Sequence, residues 1–509
     1  MSDLHIDKEK KLLKLGNLSV TTLLEERRAG VLLHITSLPG KYGNGDLGRE
    51  AYHFIKFLHS VGIRVWQTLP LGQPHGDGSP YQCLSAHAGN TALISLDWLE
   101  EKGWLQPIDN CDNCSTDDNY TKQCLINKAF YGFQALAEKQ DLEDFFKFCA
   151  EKSSWLDDFA LFMALRNEFG KCCWNQWPEY LKQRHPLAMK EARRRLERVI
   201  DGIKFEQYVF FRQWHELKEF AKQHDVLMFG DIPIFVSYDS VDVWANREVF
   251  KLDVDGEMSV VAGVPPDYFS ATGQRWGNPH YDWQDLEQTN FRWWTERMRT
   301  QLEMFDIVRI DHFRGLEAAW EIPANESTAI NGEWVKAPGH KLLNAIKKAL
   351  GEIPLVAEDL GIITKEVDEL RNSFNLPGMK ILQFAFGDDA TNPYLPHNYE
   401  SNSVVYTGTH DNDTTLGWYH SLNDDERHHV YQALGVPAIQ MPQALMQAAF
   451  ASVANMAIVP MQDILELGSA DRMNVPGTTE GNWQWRFSWE QLTESKINYL
   501  TRLIKLFGR

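Results

Sequence analysis

Residues 306–315 read DIVRIDHFRG, and the fold turns on how this stretch is read. Its first half is a β-branched, apolar run of the kind a buried parallel strand needs. It ends in Asp311, His312 and Arg314, which a closed core does not accept unpaired. A buried strand that delivers charge at its C-terminal tip has the outline of a site. Alternation along the strand puts Arg309 and Asp311 on one face and Val308 and Ile310 on the other. The guanidinium is therefore expected beside the carboxylate, where it would keep Asp311 ionised, as a nucleophilic carboxylate requires.

Working outward, similar runs recur at Gly30 to Ile35, Arg64 to Pro70, Val226 to Pro233, Ile353 to Leu360, Met379 to Phe386, Ser403 to His410 and Met456 to Leu465. The first two are joined by a Gly/Pro loop and by REAYHFIKFLHSVG, whose apolar residues have helical spacing, so they form a βαβ unit with a right-handed crossover. With Asp306 to Phe313 the set numbers eight. Eight parallel strands alternating with helices make a (β/α)₈ TIM barrel of the α/β class, and the Gly-rich phosphate loop of a doubly wound sheet is missing. Residues 1–27 read as an N-terminal lead-in and 28–509 as the barrel. A helix-rich insertion is expected at about 88–200, and a loop region suited to substrate at about 236–290. The inserted parts are expected to be mainly helical.

The chain has 509 residues, 43% of them hydrophobic and 24% charged, which suits a large buried core. A formal net charge of -19 repels polyanions, so neither nucleic acid nor an anionic membrane surface is expected as a partner. No signal peptide or apolar run of bilayer length is read, and seven cysteines, an odd number, fit a reducing compartment. The expected setting is cytoplasmic, and the expected state a monomer or weak homo-oligomer. Cys111 and Cys114 form one CxxC near Cys124, but a structural zinc site needs four ligands and no second pair follows, so no metal is expected there.

Acids recur at the strand ends: Asp231, Asp311, Glu358 with Asp359, Asp411 and Asp463. Such acids often cap the following helix. In a barrel, however, these ends share one mouth, and Arg309 and His410 beside them are company that capping does not call for. Carboxylates across a mouth suit either a divalent cation or glycoside chemistry. Retaining cleavage of a glycosidic bond needs an ionised carboxylate and a protonated one, roughly 5 to 5.5 Å apart. Alternation lets only one of Glu358 and Asp359 face the centre, and a desolvated Glu358 could keep its proton. The loops SPYQCLSAHAGN and PPDYFSATGQRWGNPHYDW mix rings with amides and carboxylates, as needed to cover the face of a sugar and bond its hydroxyls. They tip the reading toward sugars.

VRIDHFRG, VAEDLG and TGTHDNDT, with SPYQ and GQRWGNPHYDW, resemble the motifs of the 4-α-glucanotransferase family, the amylomaltases or disproportionating enzymes, relatives of the α-amylases. The likeness runs in order from about Arg28 to the end of the chain. It implies Asp311 as nucleophile, Glu358 as general acid and then base, and Asp411 as a holder of sugar hydroxyls. It also implies that Ser79, Tyr81, Asp231, Asp267, Gln274, Trp276, Arg309, His410 and Asn482 contact the glucan. His312 matches the motif without an assigned role. No cofactor and no metal are implied. The implied partners are maltooligosaccharide or starch- and glycogen-like donors and acceptors, with an α-glucan hydrolase of the amylase or debranching type as the alternative. Val236 stands where the amylases carry a sugar-binding His, and only 45 residues follow Ile464, too few for an amylase C-terminal sandwich.

Overall fold

The computed structural model describes residues 20–107, 118–266, 270–435 and 441–509. Eight parallel strands form its centre: β1 (Arg28–Leu32), β2 (Val65–Gln67), β3 (Leu227–Pro233), β4 (Ile307–Asp311), β5 (Leu355–Ala357), β6 (Gly378–Ile381), β7 (Ser403–Tyr406) and β8 (Met456–Pro460). The ladder runs β6-β7-β8-β1-β2-β3-β4-β5. Between β5 and β6 the Ala357 N–H donates to the Pro377 carbonyl at 2.9 Å, which nearly closes the ring. Chain order equals spatial order, as a (β/α)₈ barrel requires.

Local sequence explains each unit. Between β1 and β2 the helix Arg49–Val61 buries Ala51, Phe54, Ile55, Leu58 and Val61, a stripe at the 3.6-residue period, against the strands. Gly62, at φ 93°, ends it in the left-handed conformation that glycine adopts without steric cost. The strands are shorter than their apolar runs because several turn into 3₁₀ segments at their tips. Ile35–Ser37 follows β1, Phe313–Leu316 follows β4, and Leu382–Phe384 follows β6.

The segment between β2 and β3 holds the helices Asp118–Leu136, Lys139–Glu151, Ser153–Glu168 and Pro186–Arg195, then Glu197–Gln223, which leads into β3. Two glutamines of that last helix tie the preceding loop to it. Gln207 accepts from the Gly89 N–H at 2.8 Å and donates to its carbonyl at 3.0 Å; Gln213 does the same for Ser95 at 2.7 and 3.1 Å. Each buried side-chain amide thus pairs both backbone groups of one residue and leaves neither unpaired. Of the expected thiol cluster, Cys111 and Cys114 lie outside the described residues, and Cys124 is half-buried and free.

The inserted parts are mainly helical, but strands occur among them as well. Val260–Val264, Gln274–Pro279, Ala318–Pro323 and Glu333–Lys336 form a second, antiparallel sheet whose first two strands belong to the 236–290 region and whose last two follow β4. Val261, Ile322 and Ala329 give it a small core of its own. It stands at the barrel mouth and carries Gln274 and Trp276. No described helix is long and apolar enough to cross a membrane.

Candidate active site

Register brings the charges together. Asp231 on β3 lies opposite Arg309 on β4, so the two are cross-strand neighbours on one face. Arg309 donates from Nε to Asp231 Oδ1 at 2.9 Å and from Nη2 to Oδ2 at 2.6 Å, a bidentate pair with the Asp231 side chain fully enclosed. The same Nη2 faces Asp311 Oδ1 at 2.9 Å and the Tyr81 hydroxyl at 3.1 Å, and that hydroxyl donates to Asp231 Oδ2 at 2.6 Å. Burial pulls the Arg309 guanidinium down, but Asp231, Tyr81 and Asp311 more than offset it and hold it well above its ordinary value. Burial pushes the Tyr81 hydroxyl up, and Asp231 adds to the rise.

Asp311 is the last residue of β4, and 32% of its side chain is open to the cleft. Enclosure by the cleft walls pushes its carboxyl well above the ordinary range; Arg309 opposes this, while Asp231, Glu358 and Asp411 add to it. The expectation that Arg309 alone keeps Asp311 ionised is therefore too simple. The guanidinium is committed to Asp231, and two hydrogens on Nη2 face three oxygens.

Glu358 follows β5 directly. Its Oε2 accepts from the His312 N–H at 2.6 Å and its Oε1 from the Leu360 N–H at 3.1 Å. Burial pushes this carboxyl up to about 7, against Arg309 and the His312 N–H. Near neutral pH the two carboxyls share protons as a coupled pair. Arg309 gives Asp311 a charge-assisted hydrogen bond, stronger than Glu358's two neutral backbone donors, so the negative charge is favoured on Asp311 and the proton on Glu358. Asp359 turns the other way, accepting from the Met379 N–H at 2.7 Å and facing Arg371 Nε at 3.3 Å.

Asp411 lies five residues beyond β7. Its Oδ1 accepts from Asn474 Nδ2 at 2.6 Å and lies 3.3 Å from His410 Nε2, while Arg472 Nη2 donates to its carbonyl at 2.9 Å. His410 is enclosed, and burial pulls its imidazole down against the pull of Asp411. Its ring stacks on Tyr81 with centroids 5.2 Å apart and planes 13° apart. Asp463 plays another part: it is buried and accepts from Thr407 Oγ1 (2.6 Å), the Thr415 N–H (2.8 Å) and Thr415 Oγ1 (2.6 Å), tying the end of β7 to the first turn of the helix Thr415–Ser421.

Ser79, Tyr81, Gln274, Trp276, Arg309, Asp311, Glu358 and Asp411 line one cleft of about 530 Å³. Asp231 and His410 sit just behind its wall. Asn482 does not line it; its side chain accepts from the Val475 N–H (2.9 Å) and donates to the Thr478 carbonyl (3.0 Å), holding the loop that presents Asn474 and Trp483. Asp267 lies outside the described residues. Tyr281, one of the loop rings, is buried and donates to the Ile234 carbonyl at 2.7 Å. Size does not single this cleft out, since a groove of about 570 Å³ beside the insertion helices is slightly larger. The convergence of charge does.

Sequence reading missed three contributors: the His312 N–H, Asn474 on Asp411, and Asn278, whose Nδ2 donates to the Val236 carbonyl at 2.9 Å on the cleft wall. The backbone donor has no sequence signal; Asn474 stands in a loop, where asparagine ordinarily signals a turn, and Asn278 in a short strand whose Gly-Asn-Pro end reads as one.

The family model for 4-alpha-glucanotransferase matches residues 33–493. A 4-alpha-glucanotransferase of Synechocystis is 48% identical over 96% of this chain and 99% of its own. One from Thermus thermophilus is 50% identical over 90% and 94%. The structure of an amylomaltase from Streptococcus agalactiae in complex with acarbose superposes with a TM-score of 0.90 at 38% identity, covering 95% of this chain and all of that one.

Proposed function

This chain belongs to the 4-alpha-glucanotransferase family and has that activity on α-glucans, and we propose that it works by a retaining double displacement on Asp311 and Glu358. The Asp311 carboxylate attacks the anomeric carbon of the donor while Glu358 gives its proton to the departing glycosidic oxygen. This leaves a β-linked glucosyl ester on Asp311 and a shortened glucan free to depart. The Glu358 carboxylate then takes the proton from the 4-hydroxyl of an acceptor glucan. That oxygen attacks the same carbon, and the bond to Asp311 breaks. Two inversions restore the α configuration.

The observation that carries this reading is the Arg309 contact to Asp311 beside a Glu358 carboxyl raised to about 7: a favoured anion next to a favoured acid in one cleft. Asp411, with His410 and Asn474 on its carboxylate, would accept hydroxyls of the sugar being transferred. Tyr81 and Trp276 offer ring faces, and Ser79 and Gln274 polar edges, for the flanking glucose units. Donors and acceptors are maltooligosaccharides or starch- and glycogen-like chains, and the protein acts as a monomer or weak homo-oligomer. A cytoplasmic setting is supported by free thiols at every described cysteine.

Feeding maltotriose and resolving products by chain length tests the reading. Glucose together with chains longer than the substrate is the expected result. Shortening alone would mean that water resolves the ester, the amylase or debranching outcome.

A further inference from the structure

His312 stands where the chain leaves β4, at φ 52° and ψ 50°. A non-glycine residue there carries a steric cost, and one that is kept beside a reactive group invites a functional account. Three contacts fix it. Its N–H donates to Glu358 Oε2 at 2.6 Å. Its ring stands edge-on to the Trp276 indole, with centroids 4.9 Å apart and planes at 90°. The ring also lies over Gly315, where a Cβ would come within 3.2 Å of its Cδ2.

The backbone around it is bound to the same partner. Phe313 N–H donates to the Glu358 carbonyl at 3.0 Å, and Glu358 N–H donates to the Ile310 carbonyl at 3.0 Å. The tips of β4 and β5 thus grip Glu358 at main chain and side chain together. Burial, with Arg314 and His280 nearby, pulls the imidazole pKa down to about 4, so the ring is neutral near pH 7.

We propose that His312 is a positioning residue with two arms: its left-handed backbone presents an N–H to Glu358, and its ring sets the Trp276 indole at the cleft wall. The inference rests on the assignment of Glu358 as the general acid. A donor aimed at the carboxylate stabilises its ionised form, so withdrawing the N–H raises the pH at which Glu358 loses its proton. The other charged or titratable groups around that carboxyl are Arg309 and Asp311 from β4, Asp359 beside it, and Tyr394 from the segment after β6. Both substitutions below leave all of them in place.

The test compares His312→Val with His312→Asn. Valine is β-branched and resists the left-handed conformation, whereas asparagine accepts it but lacks the ring. With Val, the alkaline limb of the kcat profile moves up by about 1 pH unit as the N–H swings away. With Asn, the limb stays in place and KM for maltotriose rises about tenfold through loss of the indole's support. His312→Ala, milder at the same backbone, replaces Val should the melting curve show that Val does not fold. Coincident alkaline limbs for the backbone variant and Asn, or an unchanged KM with Asn, overturn the proposal. Glu358→Gln measured alongside separates the two readings. Full turnover in that variant overturns the assignment of the acid, whereas coincident limbs beside an inactive Glu358→Gln overturn only the role of His312.

Discussion

Asp311→Asn is expected to lower maltotriose turnover by at least about 10³-fold while the protein melts near the wild-type temperature. An amide cannot form the glucosyl ester, yet it is nearly isosteric, and its oxygen can still accept from Arg309 Nη2. A side chain partly open to the cleft also gives the fold little reason to respond. Glu358→Gln should lose activity on the same scale for another reason, because the leaving oxygen then departs without a proton. A donor with a good leaving group, such as α-glucosyl fluoride, distinguishes them. The glutamine variant recovers formation of the covalent intermediate, visible by mass spectrometry as a glucosylated protein, and the asparagine variant does not. Near-wild-type turnover of maltotriose in either variant would refute its assigned role.

Arg309→Met is expected to destabilise the protein by about 3–5 kcal/mol, since removing one partner of a buried ion pair leaves an uncompensated charge. The Asp231 side chain has no exposure and receives two of its hydrogen bonds from this guanidinium; the Tyr81 hydroxyl alone does not replace them. Activity should fall as well, because Asp311 loses its charged donor and the coupled carboxyls rise further. Adding Asp231→Leu should return a substantial part of the stability without returning activity, as expected for two residues that share one interaction. Denaturant titration of the single and double variants reads this directly. A loss under about 1 kcal/mol for Arg309→Met would place the pair among weak surface-like bridges.

The barrel was legible because each of its strands is an apolar run bounded by loop residues, and the acids at their tips were legible because such residues do not belong in such runs. The strand ends were less so. Asp306 to Phe313 reads as one strand with a charged tip, yet the strand stops at Asp311 and the chain turns left-handed at His312. No glycine marks that turn. The antiparallel sheet was missed because QRWGNP and EWVK are short and half-exposed, and two of the six residues in QRWGNP are Gly and Pro, so they read as loop. Asp311, Glu358 and Asp411 could be paired from motif order alone. The split loyalty of Arg309 could not, because it depends on β3 and β4 aligning Asp231 with Arg309, and register is a property of the assembled sheet.

The pairing of β1 with β8, Arg28 opposite Met456, has a consequence for how the molecule comes into being. During synthesis β1 to β7 can be made and matched in order while the eighth stave is still missing. Until it arrives, β1 and β7 each present an unpaired edge. Contacts of such long sequence separation are slow to form, so the nascent chain passes through an open, horseshoe-like stage in which apolar strand edges are available to neighbours. A barrel ordered stave by stave sets each strand beside its neighbour in chain order except at this junction. Demand for chaperone holding should therefore concentrate in the interval before β8 leaves the ribosome.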